Sequence, residues 1–319
     1  IFQQTHDTTL RVSGAAHPDT LRTLGNLAAT LSRMGDNEAA ISLQRGGLEQ
    51  SRRILGPDHP SSIRMLANLA VSLVTLGNFT EAEPLCRESL DRSLRVNGLH
   101  HSNTLIAYNV MGFVLQRQDR PAEAEQFLRA ALDASAATLG EDHPDRLVFL
   151  INYATLARSL GKLDGADQFL TEAMERTTRV LGLDHPTTRA SFRNYIDLLI
   201  QQNRFAECLD VIKRFEPSER KTADADGGAA LARLKKNFGV CNIAIGQFAL
   251  AEPALLEAQP VLLKSNPTGK STIACVQALI DLYTGWNTAE PNKGYDAKAA
   301  QWTSALEELS KPPTPTTTP

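Results

Sequence analysis

Five histidines, His17, His59, His101, His143 and His185, stand 42 residues apart each time. A fixed period of this size means one structural unit repeated along the chain and stacked on itself. Proline follows four of the five, at Pro18, Pro60, Pro144 and Pro186, and Ser102 follows the third. A glycine lies three residues before each, at Gly14, Gly56, Gly98, Gly140 and Gly182. Eighteen residues after the histidines come Gly35, Gly77, Asp119, Gly161 and Asn203. Five further on, a small side chain recurs as Ala40, Ala82, Ala124, Ala166 and Cys208.

Each unit reads as two helices. From Pro60 the first places Leu66, Leu69, Ala70 and Leu73 on one face. Gly77 and Asn78 turn the chain, and the second helix aligns Phe79, Ala82, Leu85, Cys86 and Leu90. Gly98 ends it, since a left-handed residue closes a helix at little cost when it is glycine. The next helix opens on a residue suited to its first turn, usually proline. Asp19, Asp58 and Asp145 lie near helix starts, where negative charge is favoured. Asp58 beside His59 would suit a proton relay, but the period assigns the pair to the connector. The histidines fall on successive units, too far apart to share a metal at about 2 Å per bond. They are structural punctuation.

Composition narrows the function. The net charge of −3 gives no general basic excess for nucleic acid or an anionic membrane. No apolar run approaches the roughly 18 residues of a membrane span. Cys86, Cys208, Cys241 and Cys275 are widely spaced in apolar stretches and read as reduced, buried thiols of a cytoplasmic protein. Paired catalytic carboxylates, a Ser-His-Asp arrangement and a metal cluster are all missing from the pattern, so no catalysis, metal or cofactor is expected. "NPTGKST", Asn266 to Thr272, contains the GKS of a nucleotide loop, but Lys264 stands where that loop needs glycine and no strand precedes it. It reads as a helix-start turn.

The helix–turn–helix units with a glycine turn and a following small residue resemble tetratricopeptide repeats. The 42-residue period, "LGPDHP" and "NFTEAEPLCRESL" resemble the kinesin-light-chain type of that repeat. The resemblance implies an all-α fold, a right-handed superhelical solenoid of antiparallel helix pairs. Residues 1–215 would hold a partial first repeat and five full ones, residues 216–229 an irregular link, and 230–309 a divergent sixth repeat with capping helices. "GQFALAEPALLEA" from Gly246 matches "GNFTEAEPLCRES" from Gly77 at an offset of 169. Residues 310–319, with "KPPTPTTTP", would be a disordered tail. The opening residues match the end of a second helix, as in a piece of a longer chain.

In such a stack the first helices line the concave side. Their stretches hold eight arginines, including Arg22, Arg64, Arg158 and Arg193, against three aspartates. Asn26, Asn68, Asn152 and Asn194 fall nine residues after their histidines, and the third repeat shifts its asparagine to Asn109. The resemblance implies that asparagines at this place, with Arg22 and Arg64, face the groove and hold an extended peptide. A second reading has the amides bridging neighbouring helices. The expected partner is a protein or extended peptide with acidic character, and neither nucleic acid nor membrane. Oligomeric state is not legible. The closing segment, "LYTGWNTAEPNKGYDAKAAQWTSALEEL", is similar to the end of some bacterial serine/threonine protein kinases carrying such repeats. The alternative is therefore a regulatory C-terminal region whose kinase domain lies upstream.

Overall fold

The computed structural model describes residues 2–14, 17–33, 36–223 and 227–309. Gly35, residues 224–226 of the expected link and the 310–319 tail lie outside them, as does the side chain of Arg22. The described residues form fifteen helices and no strand. They are α1 (Phe2–Ser13), then the pairs α2 (Pro18–Arg33) and α3 (Asn37–Leu55), α4 (Pro60–Thr75) and α5 (Phe79–Asn97), α6 (Ser102–Arg117) and α7 (Pro121–Leu139). The pairs α8 (Pro144–Ser159) and α9 (Leu163–Leu181), and α10 (Pro186–Gln201) and α11 (Phe205–Lys221), continue the period. Beyond it lie α12 (Ala229–Ala244), α13 (Phe248–Ser265), α14 (Lys270–Ala289) and α15 (Tyr295–Leu309). α11 runs on to Lys221, so helix occupies the first part of the stretch read as an irregular link. The chain divides within α9 into two compact units, Ile1–Phe169 and Leu170–Pro319.

The recurring histidine has a definite job. His59 adopts an extended backbone, and its Nδ1 accepts from the Ser61 N–H at 3.1 Å. His17, His101, His143 and His185 accept in the same way from Asp19, Asn103, Asp145 and Thr187, each at 3.2 Å. Each imidazole therefore caps one of the N–H groups that a helix start leaves without an intrahelical partner. Accepting requires the Nδ1 lone pair, so the neutral ring is the capping form. Asp58 points elsewhere, pairing with Arg92 at 2.6 Å and Arg95 at 2.9 Å on α5. No relay joins it to His59.

The turn inside each pair is equally regular. Gly77 has φ +78°, and the Asn78 N–H reaches back to the Leu73 carbonyl at 2.9 Å. Asp119 and Asn203 occupy the same place at φ +61° and +58°. These two residue types tolerate the left-handed region better than other side chains, which explains why the period survives without glycine there.

Within the first unit, helices pack in two unequal layers. α2 touches α4, α4 touches α6 and α6 touches α8, whereas α3, α5 and α7 do not approach one another within 8 Å between Cα atoms. Long charged side chains span the outer gaps instead. Arg52 meets Glu88 at 2.8 Å and Arg120 meets Glu83 at 3.0 Å, and Arg45 pairs with Glu81. Burial opposes ionisation of Glu83, but Arg87 and Arg120 outweigh it and hold that carboxyl below its ordinary value. The first helices thus form the inner layer. The core between layers is tight: a Cβ on Gly112 of α6 would lie 2.5 Å from Leu128 Cγ of α7.

Two substitutions test this account. His59→Ala should cost about 1 kcal/mol in urea unfolding, and His59→Asn, which restores a capping acceptor, should recover most of it. Gly112→Ala should cost about 1–3 kcal/mol by overpacking, despite its better helix propensity.

Candidate functional site

α4 shows what the inner layer leaves open. It contacts α2 and α6 to either side and α3 and α5 behind. Its apolar residues Ile63, Met65, Leu66, Leu69 and Leu73 are buried in those contacts. Arg64, Asn68 and Val71 follow at helical spacing on the remaining face. Arg64 and Val71 are exposed, Asn68 is half-buried, and Arg64 has no ion-pair partner among the described residues. The Asn68 amide nitrogen lies against α2, 3.3 Å from where a Cβ on Gly25 would stand. Asn26, one repeat earlier, is exposed.

The other asparagines behave differently. Asn109 is 8% exposed, and its Oδ1 accepts from Asn152 Nδ2 at 3.0 Å. The one-residue shift in the third repeat turns that amide by about 100° around the helix axis. It takes Asn109 out of the open row and into the α6–α8 interface. For this pair the bridging arrangement is what the structure contains, and contact of Asn109 with a ligand would require that bond to open. Asn194 donates to the Ala190 carbonyl of its own helix at 2.9 Å.

Much of the arginine excess on the first helices is spent within the protein. Arg146 pairs with Glu141 at 2.9 Å, and the Arg117 guanidinium lies 5.4 Å from the Phe79 ring centroid. Arg158 is half-buried and engaged within the protein. In the second unit Glu219 is 0% exposed, with Arg189 at 2.6 Å and Arg193 at 3.4 Å. Glu219 falls where earlier repeats carry Ser51, Ser93, Ser135 and Thr177. There Ser51 meets Ser62 at 2.7 Å and Thr177 meets Ser191 at 3.1 Å. Those hydroxyls reach forward to the first helix of the next pair, whereas Glu219 on α11 turns back to α10 of its own pair, and Arg193 is partly committed to it.

The second unit also holds a site the sequence reading passed over. Arg193, Asp197, Arg233, Lys236, Asn237 and Lys270 are among the residues lining a pocket of about 370 Å³ on α10, α12 and the start of α14. The signal was available: the offset of 169 that relates Gly246 to Gly77 also maps Arg64 to Arg233 and Asn68 to Asn237. Among the described residues, no group of three His, Cys, Asp or Glu side chains could hold a metal ion. The four thiols are free and buried, and burial, with Glu83 adding to it, pushes Cys86 up to about 12.

Stacked antiparallel helix pairs of constant length define an α-solenoid built from repeats. The tetratricopeptide-repeat family model matches residues 19–95, 62–137 and 103–176. Residues 19–176 are therefore tetratricopeptide repeats, a class of unit that serves in protein-interaction scaffolds. No match is found among curated protein sequences. Among solved structures it is similar to BtubC (BKLC) from P. vanneervenii, at 22% identity over 72% of this chain and 92% of that one, with a TM-score of 0.60. The TPR-like repeats of a Podosopora anserina protein described as a kinesin light chain share 21% identity over 65% of this chain and 98% of that one, TM-score 0.54. A signal-transduction ATPase with a tetratricopeptide repeat sensor from Pyrococcus horikoshii aligns with 96% of this chain and 44% of that one, at 12% identity and TM-score 0.70.

Glu219→Ala should destabilise the protein by about 3–5 kcal/mol, because it strands Arg189 in a buried place without its carboxylate. The urea midpoint would show it.

Proposed function

We propose that this protein is a non-enzymatic interaction scaffold that holds an extended peptide segment of a partner protein along its first helices. The observation that carries the reading is the open face of α4. A continuous apolar face would be covered by another helix, whereas Arg64 and Asn68 present a charge and an amide suited to backbone and carboxylate groups. Asn26 extends the row in the first unit, and Arg193 and Asn194 lie on the corresponding helix of the second. The partner segment is acidic. Nucleic acid is disfavoured by the net charge of −3 and by an aromatic content of 6%.

Among the described residues no helix is long and apolar enough to cross a membrane. The protein acts in the cytoplasm of a bacterial cell on this reading. The similarity of residues 282–309 to the end of repeat-bearing kinases supports a second arrangement, in which the segment held belongs to the same parent chain; the full length of the parent gene separates the two.

Selection from a degenerate library of extended acidic peptides should enrich ligands on the wild-type chain. Arg64→Ala with Asn68→Ala should weaken them roughly 10–100-fold, the scale of two hydrogen bonds to charged or polar groups. Circular dichroism would verify that the fold is kept. Unchanged affinity in the double variant would move the binding surface to the outer helices.

A further inference from the structure

The pocket in the second unit has a composition that the peptide reading alone does not explain. Arg193, Arg233, Lys236 and Lys270 face one carboxylate, Asp197. Glu219 lies behind Arg193 but is shared with Arg189, which offsets it. Lys236 is half-buried and makes no hydrogen bond or close ion pair among the described residues. Burial pushes its ammonium below the ordinary value, with the charge of Asp197 pulling the other way. A desolvated cation with one distant counter-charge gains from an anion placed beside it.

Asn237 is the second observation. It is 9% exposed, lines the same pocket and has no hydrogen-bond partner among the described residues. Its amide atoms are not sealed from solvent, so the amide opens onto the pocket with its donors and acceptor available. A third group of donors converges there. α14 starts after Gly269 without a side-chain cap, and its first-turn residues Lys270 and Ser271 line the pocket. Their N–H groups have no partner within the helix, and the helix dipole adds partial positive charge. "GKS" is therefore no nucleotide loop, yet it delivers a lysine and a helix start to a cationic cavity.

Several cations, an amide and a helix start exceed what one carboxylate uses, with its single charge and two oxygens. They suit a group of about −2 charge with three acceptor oxygens. The residues lining the pocket include no Phe, Tyr or Trp on which a base could stack, which disfavours a nucleotide. We propose that the pocket binds the phosphate of a phosphorylated serine or threonine in a peptide lying along α10, α12 and α14. The proposal rests on the peptide reading above and names the group recognised.

The test uses the full chain and two degenerate peptide libraries that differ only in phosphorylation of a central serine. The phosphorylated library should be retained roughly tenfold more or better at physiological ionic strength. That preference should vanish in Lys236→Gln, and shrink in Lys270→Gln, whose exposed side chain can be replaced without disturbing the fold. Equal retention of both libraries, or a preference that survives both substitutions, overturns the proposal. If both libraries are retained equally and retention falls in the Arg64→Ala, Asn68→Ala variant, the groove reading stands and the phosphate site alone is lost. If neither library is retained but inorganic phosphate raises the melting temperature of wild type and not of Lys236→Gln, the pocket takes a free anion and the phosphopeptide source is wrong.

Discussion

A pair of antiparallel helices joined by a tight turn cannot bury all of its apolar surface by itself. The sides of α4 that carry Ile63, Met65 and Leu66 are covered by helices of both its own and the neighbouring pairs. Every later feature depends on this need for a neighbour. It fixes the period, because each pair must present the same surfaces in the same order. It also explains why the connectors are so uniform: a helix that starts one residue late would turn its apolar stripe by about 100°. The histidine cap and the left-handed turn residue are local devices that hold that phase.

This is why so much of the fold was legible in the sequence. Helix starts and stops are written in adjacent residues, and recurrence averages out ambiguity at any one copy. Ser102 in place of proline, or Asp119 in place of glycine, does not obscure a pattern seen elsewhere. The histidine itself could be recognised as punctuation, but its capping role through Nδ1 needed geometry.

The site was less legible, for physical reasons that differ by residue. Arg64 and Asn68 were singled out by the resemblance to the repeat family, and they stand on the face of α4 that its neighbours leave open. Asn109 could be seen to depart from the pattern, but its pairing with Asn152 depends on side-chain direction across two helices. Glu219 replaces a hydroxyl with a buried charge, and only its three-dimensional neighbours Arg189 and Arg193 make that tolerable. The basic pocket draws on helices up to about eighty residues apart in sequence, and one extra residue in the offset of 169 hid its kinship with α4.

The unequal layers of the first unit also have a mechanical meaning. Its inner helices lean on one another through direct packing, while the gaps between α3, α5 and α7 are crossed by partly exposed ion pairs. Packing resists compression on a length of fractions of an ångström, whereas such pairs are each worth about 0–1 kcal/mol and are screened by salt. The first unit is therefore a stiff inner seam backed by a compliant outer skin. Its curvature is adjustable from the outer side, by ionic strength or by any partner that competes for the arginines of the outer layer.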